Sequence, residues 1–330
     1  KYDYEIAERG TSFDLHLEVA FNEETESFCR KMVATIREVL KEGKVQIGAK
    51  TNSGLGKIRL RDEKIYQFDF KKKEDVIRWL KRDFSLPCSL NESPFSIEPR
   101  VFSINAYLKP KTSFIIRSYS SDPQEPDATS VKSGSDFVIP GTSLKGAIRS
   151  RAERILNTLG KPRRLLSCLF GNVDERTKEK KRGKVRIDEM ILPKVVAELH
   201  TRIKIDRFTG GNISGALFET MPVFSKYGGG EEVDFSEKAW NLKVTIQDYE
   251  PHEAGLMLLV LKDLWTGDMA IGGEKSIGRG VFEGLGAEII WDNNRKVVLE
   301  KNLENLAEED RKELESFVSA LRDFEGKDGK

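Results

Sequence analysis

Four cations crowd one short stretch: Lys145, Arg149, Arg151 and Arg154. Lys145 and Arg149 stand one helical turn apart, while Leu144, Ala147, Ile148, Ala152, Ile155, Leu156 and Leu159 recur at helical spacing as a buried face. The run before them, Phe137-Val-Ile-Pro-Gly-Thr-Ser-Leu144, reads as a short apolar strand turning through Pro-Gly into that helix. Thr142 or Ser143 is expected to cap it by accepting from orphan backbone N–H groups. Side-chain charge, free amides and the positive end of the helix dipole then coincide, which suits a phosphate. The stretch is not a nucleotide-binding P-loop: in Gly141-Thr-Ser-Leu-Lys145-Gly146 the lysine precedes the second glycine and no Lys-Ser/Thr pair follows. Taken alone, it is equally well a capped amphipathic helix with a solvated basic face.

A second set is acidic. Lys111 to Ser135 is polar, rich in Ser, Asp and Pro, and too long for a tight connection; loops of that length are usually functional or disordered. Asp122, Glu125 and Asp127 lie in it, with Asp136 just beyond. Carboxylates so placed bind a divalent cation or accept a proton. Cys29, Cys88 and Cys168 have no CxxC spacing, and His16, His200 and His252 lie far apart. This excludes a disulfide framework, a zinc site and a Cys/His nucleophile, and it fits a reducing cytoplasm.

The chain has 330 residues, 38% hydrophobic and 33% charged, enough for two domains with a sizeable core. No apolar run approaches the length needed to span a bilayer. The formal net charge is +1, so charge must be segregated: acidic stretches at 231–237 and from Leu303 to Glu325 offset basic clusters at 145–154, 161–164, 176–186 and 202–207. Phe13 to Phe21 alternates as a half-buried strand. Glu26 to Glu42 has a helical stripe in Phe28, Met32, Val33, Ile36, Val39 and Leu40, and Lys57 to Leu60 alternates again.

Between those elements sits Ile47-Gly-Ala-Lys-Thr-Asn-Ser-Gly-Leu-Gly56. The order strand, helix, glycine-rich loop, strand returns as Trp240–Ile246, Ala254–Trp265, Ile271–Gly280 and Val281–Ile290, and the two loops align without a gap. This is an internal repeat and implies two structural units. Glycine lets backbone approach phosphate or sugar closely, with Lys50, Lys57, Lys275 and Arg279 as counter-charge; the same glycines also serve simple turn geometry. Ser85 to Arg100, with Pro87, Pro94 and Pro99, reads as a linker. Arg163 to Arg186 is a basic insertion whose Cys168-Leu-Phe-Gly171 docks on the core, with Lys178–Arg186 expected to be a mobile loop. In Thr201–Val223, Arg202, Lys204 and Arg207 alternate with Ile203 and Ile205 until the register breaks at Asp206. Phe208, Leu217, Phe218 and Met221 surround three glycines, the makings of a flexible, partly apolar hairpin.

Ile139-Pro-Gly-Thr-Ser-Leu-Lys-Gly-Ala-Ile-Arg149 resembles the strand-to-helix signature of the RAMP superfamily, the RNA-binding proteins of CRISPR effector complexes, and especially the backbone subunits of type III complexes. Ile205-Asp-Arg-Phe-Thr-Gly-Gly-Asn-Ile-Ser-Gly-Ala-Leu-Phe218 is similar to the segment that enters the family's thumb hairpin. Ile271-Gly-Gly-Glu-Lys-Ser-Ile-Gly-Arg-Gly280 resembles its late glycine-rich loop. The resemblance implies an α+β, ferredoxin-like RAMP fold with a thumb at about 201–226. It implies the late half of a first unit at 1–84, a linker at 85–100, a complete second unit at 101–292 and an acidic helical tail at 293–330. On this reading the beginning of the first unit was removed or lies on another polypeptide.

The resemblance also implies guide RNA (crRNA) and complementary single-stranded target RNA as partners, beside other RAMP subunits. RNA-holding roles fall to Lys132, Ser143, Lys145, Arg149, Arg202, Lys204, Arg207, Phe208, Lys50, Lys57, Lys275 and Arg279. In cleaving subunits a loop aspartate shortly before a Val-Val-Lys/Arg-like step is associated with target cleavage. Asp127-Ala-Thr-Ser-Val-Lys132 has that layout, which makes Asp127 the expected catalytic and Mg²⁺- or Mn²⁺-binding residue and Asp122 the next candidate. Cleavage by transesterification needs the 2′-hydroxyl deprotonated, the phosphate held in line and the developing charge stabilised. A non-catalytic scaffold and a guide-processing nuclease are the competing expectations.

Overall fold

The computed structural model describes residues 6–96, 100–119, 122, 124–173, 177–226, 240–292, 295–302 and 305–325; the acidic stretch 231–237, Pro99 and Leu303 lie outside the described residues. The chain divides into two compact units, a smaller one of Ser12–Thr51 with Leu55–Glu98 and a larger one of Lys1–Thr11, Asn52–Gly54 and Pro99–Lys330.

The smaller unit holds α1 (Glu26–Lys41) and α2 (Lys73–Leu80). Ala34 and Leu40 of α1 are buried, whereas Phe28 is exposed. The strand expected at Phe13–Phe21 is not formed: Phe13, Leu15, Leu17 and Phe21 are exposed and no described strand runs alongside. Alternation makes a strand only where a neighbour takes up its backbone hydrogen bonds. Lys57–Leu60 likewise reduces to one bridge, Gln46 with Lys57. The expected linker also carries structure, since Cys88 N donates to Ile65 O at 2.8 Å.

The larger unit runs β1 (Val101–Pro110), β2 (Arg117–Ser118), β3 (Ala128–Ser130), β4 (Lys132–Ser133), β5 (Asp136–Ile139), α3 (Gly141–Thr158), α4 (Arg164–Phe170), β6 (Asn172–Val173), β7 (Lys180–Lys181) and β8 (Val185–Ile187). It continues through β9 (Met190–Ile191), β10 (Val195–Ala197), β11 (His200–Arg202), β12 (Phe218–Met221), β13 (Val223–Ser225), β14 (Trp240–Gln247), α5 (Pro251–Thr266), β15 (Phe282–Trp291), β16 (Arg295–Glu300) and α6 (Glu308–Asp323). This is an α+β architecture. Its main sheet has the order β16-β15-β1-β14-β8, with every neighbouring pair antiparallel.

One face of that sheet is the core. Phe102, Ile104, Ala106 and Leu108 of β1 and Trp240, Leu242, Val244 and Ile246 of β14 are all buried, in register as Phe102 with Ile246 and Ile104 with Val244. Period-two alternation thus becomes a one-sided apolar surface, which α3 covers with Leu144, Ile148, Ala152 and Leu156, and α5 with Ala254, Met257, Val260 and Leu264. The acidic tail is no separate appendage. Phe317 and Leu321 of α6 enter the same core, and Phe317 meets Phe102 and Trp291 edge to face with ring centroids 5.5 Å from each.

Two further expectations change. Helix α3 has Pro140 at its N-cap without a side-chain cap; Ser143 N and Leu144 N donate to Pro140 O, so the turn itself satisfies those amides. The basic stretch 178–186 is not all loop. Lys180–Lys181 pairs with β6, and Val185–Ile187 closes the edge of the main sheet through β14. Leu165, Leu166, Leu169 and Phe170 of α4 are buried, so this insertion docks on the core as expected.

Two glycines test the packing with opposite signs. A Cβ on Gly255, where α5 meets α6, would stand 2.1 Å from Phe317 O, whereas one on Gly146 of α3 would meet nothing within 4 Å. Gly255→Ala should therefore destabilise the larger unit by about 1–3 kcal/mol, and Gly146→Ala should stabilise it by roughly 0.5–1 kcal/mol, both measured by chemical denaturation.

Candidate nucleic-acid interface

The glycine-rich loop at 271–280 folds by a device visible twice. Gly48 and Gly272 have φ of +85° and +99°, Lys50 and Glu274 +55° and +56°, Gly54 and Gly278 both +86°, and Gly56 and Gly280 +75° and +78°. Each loop contains one 3-10 turn, Thr51–Ser53 or Lys275–Ile277, and closes with an isoleucine N–H, Ile47 or Ile271, donating to a glycine carbonyl at 2.9 Å. A Cβ on Gly56 would lie 1.8 Å from Ile47 O, and one on Gly280 1.9 Å from Ile271 O. These glycines answer to the turn itself.

The second loop places Glu274 at the centre of a charge cluster. Its side chain is only 6% exposed. Oε2 meets Arg279 Nε at 2.8 Å and Arg202 Nη2 at 3.2 Å, while Oε1 meets Arg117 Nη2 at 3.3 Å. Burial pushes the carboxyl up, but the Arg279 hydrogen bond and the charges of Arg202, Arg279 and Arg117 outweigh it and hold Glu274 below the ordinary glutamate range. Arg279 also donates to Ser113 Oγ, and its Nη2 to His200 Nδ1 at 3.1 Å. Three guanidiniums on one carboxylate leave a local positive surplus, presented outward by the more open Arg117 and Arg202.

Arg279 is placed differently from the other cations named for RNA. It is buried and committed to Glu274, Ser113 and His200, a strut of the loop rather than counter-charge offered to a ligand. Lys275 is exposed on the 3-10 turn. Lys50 and Lys57 are exposed in the smaller unit.

Arg202 ends β11, which pairs antiparallel with β12 as His200 with Thr220 and Arg202 with Phe218. The connection between them is exposed: Ile203, Lys204, Ile205, Arg207 and Leu217 face solvent, and Phe208 is 100% exposed. Its tip is organised by Asp206, whose Oδ1 accepts from Phe208 N at 2.7 Å and Thr209 N at 3.0 Å. Those bonds, Thr209 first and then Phe208, hold the Asp206 carboxyl below the ordinary range. The break in alternation at Asp206 is therefore the turn that aims Phe208 outward.

Asp127 stands at the foot of this hairpin. Strand β12 pairs in parallel with β3, Thr220 opposite Ala128, and the exposed Asp127 accepts through Oδ2 from Glu219 N at 2.8 Å. Asp122 is also exposed, but its Oδ1 accepts from Gln124 N at 2.9 Å within its own turn. Lys132 lies 4.7 Å from the centre of the Phe137 ring. On α3, Arg149 is exposed and Ser143 half-buried, while Lys145 donates to Val185 O at 3.2 Å; burial, then Arg149 and Arg182, hold its ammonium below the ordinary lysine value. The fold therefore joins Asp127, Arg202 and Phe208 through the strand order β11-β12-β3 and leaves Lys132, Lys145 and Arg149 on other elements.

The family model for the RAMP superfamily matches residues 107–283, more than half of the chain. The chain belongs to the RAMP superfamily. No match is found among curated proteins. Membership makes it a CRISPR-associated RNA-binding subunit, with RNA and complex subunits as its partners. No helix among the described residues is long and apolar enough to cross a membrane.

Among the described residues of this RAMP chain a divalent cation would find no cage of three carboxylate, His or Cys ligands. One oxygen of Asp127 already serves Glu219 N. The donor set fits an ion held by one carboxylate, water and the phosphates of bound RNA, the usual habit of Mg²⁺. Glu274, Arg117, Ser113 and His200 escaped sequence reasoning because folding alone unites residues 113, 117, 200, 202, 274 and 279. The one available signal was an acidic residue where the first loop has Lys50.

Removing the central carboxylate should be costly: Glu274→Gln leaves three arginines around a neutral amide and should lower stability at pH 7 by about 3–5 kcal/mol, as breaking a buried pair does. Because the folded carboxyl titrates below its ordinary range, its contribution is complete above about pH 4.3 and disappears as pH falls through the folded value. The gap between parent and Glu274→Gln, read by denaturation at several pH values, should narrow on acidification.

Proposed function

We propose that this RAMP protein is a backbone subunit of a type III CRISPR effector that binds guide RNA, parts the guide–target duplex with its hairpin and cleaves complementary target RNA beside Asp127. The observation that carries the reading is the meeting of Asp127 with the base of a strand pair tipped by a fully exposed Phe208. An aromatic wedge that unstacks a base leaves the neighbouring backbone free to rotate toward in-line geometry, and a carboxylate at the wedge's foot lies near that backbone. The order β15-β1-β14-β8 around helices α3 and α5 supports a ferredoxin-like unit, a relative of single-strand RNA modules, with the hairpin as its thumb.

In the cleavage step the 2′-oxygen attacks the adjacent phosphorus as its proton leaves, and the 5′-oxygen departs with a proton, giving a 2′,3′-cyclic phosphate and a 5′-hydroxyl. Asp127 orients or accepts the 2′-hydroxyl proton and would be the residue that holds Mg²⁺ or Mn²⁺, which when bound would supply charge neutralisation. Arg202, Arg117, Lys204 and Arg207 hold RNA backbone around the hairpin, and Arg149 does so on α3.

A scaffold reading has one observation in its favour: Asp127 Oδ2 already caps Glu219 N, a structural task. The reconstituted complex with Mg²⁺ and an end-labelled target RNA distinguishes the two. Asp127→Asn should slow one cut by about 10²–10⁴-fold and leave the others intact. An unchanged ladder would make the chain a binding scaffold.

A further inference from the structure

Strand β16 ends the main sheet, and among the described residues the backbone of Lys296–Glu300 bonds to β15 alone. The opposite edge, β8, is three residues long, whereas β16 runs for six. An unpaired edge of that length is a template for a further strand unless its side chains repel one. Those side chains alternate. Val297 is buried in the core and Leu299 packs against it, while Lys296, Val298 and Glu300 are exposed on the open face, Val298 by 55%.

A strand that extends this sheet must keep its own apolar face on the core side, so a second copy running antiparallel can adopt only registers that match core-side residues with core-side residues. A register centred on Lys296 sets lysine against lysine. One centred on Val297 sets Lys296 against Val298, and one centred on Leu299 sets Glu300 against Val298. Centring on Val298 places Lys296 opposite Glu300 of the second copy, twice over, with Val298 against Val298 between them and Val297 against Leu299 on the core side. Lys296 already meets Glu288 on β15, but an ammonium has three donors and can serve a second carboxylate. At the ends Arg295 would stand opposite Lys301, yet its charge is already matched by Asp310 and Glu313.

We propose that β16 is a self-complementary edge through which two copies of this chain pair antiparallel about Val298, joining their five-stranded sheets into one. The contact is isologous and closes at two copies. Six residues a side make an interface below about 1,200 Å², so the dimer is weak and forms at high protein concentration. The inference needs neither RNA nor cleavage.

Cysteine trapping tests it in the full chain, with Cys29, Cys88 and Cys168 replaced by Ser. Val298→Cys should give a disulfide-linked dimer under mild oxidation, because directly opposite Cα atoms lie about 4.5–5.5 Å apart. Lys296→Cys alone should link at least about 10-fold more slowly, since its two copies stand roughly 13 Å apart, beyond a disulfide's reach. A mixture of Lys296→Cys and Glu300→Cys chains should link one to the other. Adding Glu300→Lys to Val298→Cys should slow linking by about 5–10-fold, and Lys296→Glu in the same chain should restore most of it. Val298→Cys chains that link no faster than Lys296→Cys chains, or a charge reversal without effect, would overturn the proposal.

Discussion

One buried carboxylate, Glu274, holds together segments that are distant in the chain. Its partners come from β2, from β11 and from the end of its own loop, so the glycine-rich loop, the base of the hairpin and the connection after β1 share one electrostatic junction. Such a cluster is stable only when the charges are matched by hydrogen bonds, and Arg279 shows the matching, with Glu274, Ser113 and His200 all within reach. The surplus positive charge is left at the rim, where Arg117 and Arg202 are partly open. The same residues in this way carry both the fold of the junction and its open positive charge.

Backbone proximity is the second constraint. Gly280 cannot carry a side chain because Ile271 O occupies the space, and a Cβ on Gly272 would lie 2.7 Å from Ile115 O. The loop can therefore keep the left-handed residue Glu274 in position without relying on side-chain packing around it. On the opposite side of the sheet problem, α5 and α6 meet at Gly255, which lets the last helix complete the cluster around Phe102.

Much of this was legible in the amino-acid order, and what was not has physical causes. The β1, α3, β14, α5 and β15 elements follow from clear periodicity, because each buries one face against the same core. Phe13–Phe21 misled, since alternation records an intention to be half-buried and says nothing about whether a neighbouring strand is present. Lys178–Arg186 misled in the other direction: Val185 and Ile187 are too few apolar residues to stand out, yet β14 supplies a ready edge. Asp127 and Phe208 stand out in local stretches of sequence, but their meeting at one hairpin depends on the pairing of β12 with β3. The site was unreadable where function depends on convergence, because nothing near Arg279 in the chain announces that Ser113 and His200 will enclose it.

The Asp206 turn has a consequence for how the Phe208 ring is held. Phe208 owes its outward position to two backbone amides bound by a neighbouring carboxylate, not to burial, so the ring is presented in the free protein before any ligand arrives. The tip therefore holds its shape without a ligand, and little ordering entropy is left to lose there. The same arrangement makes the tip, unlike the core beneath it, sensitive to acid: protonating one exposed carboxyl would blur the aim of the ring while the sheet stays intact.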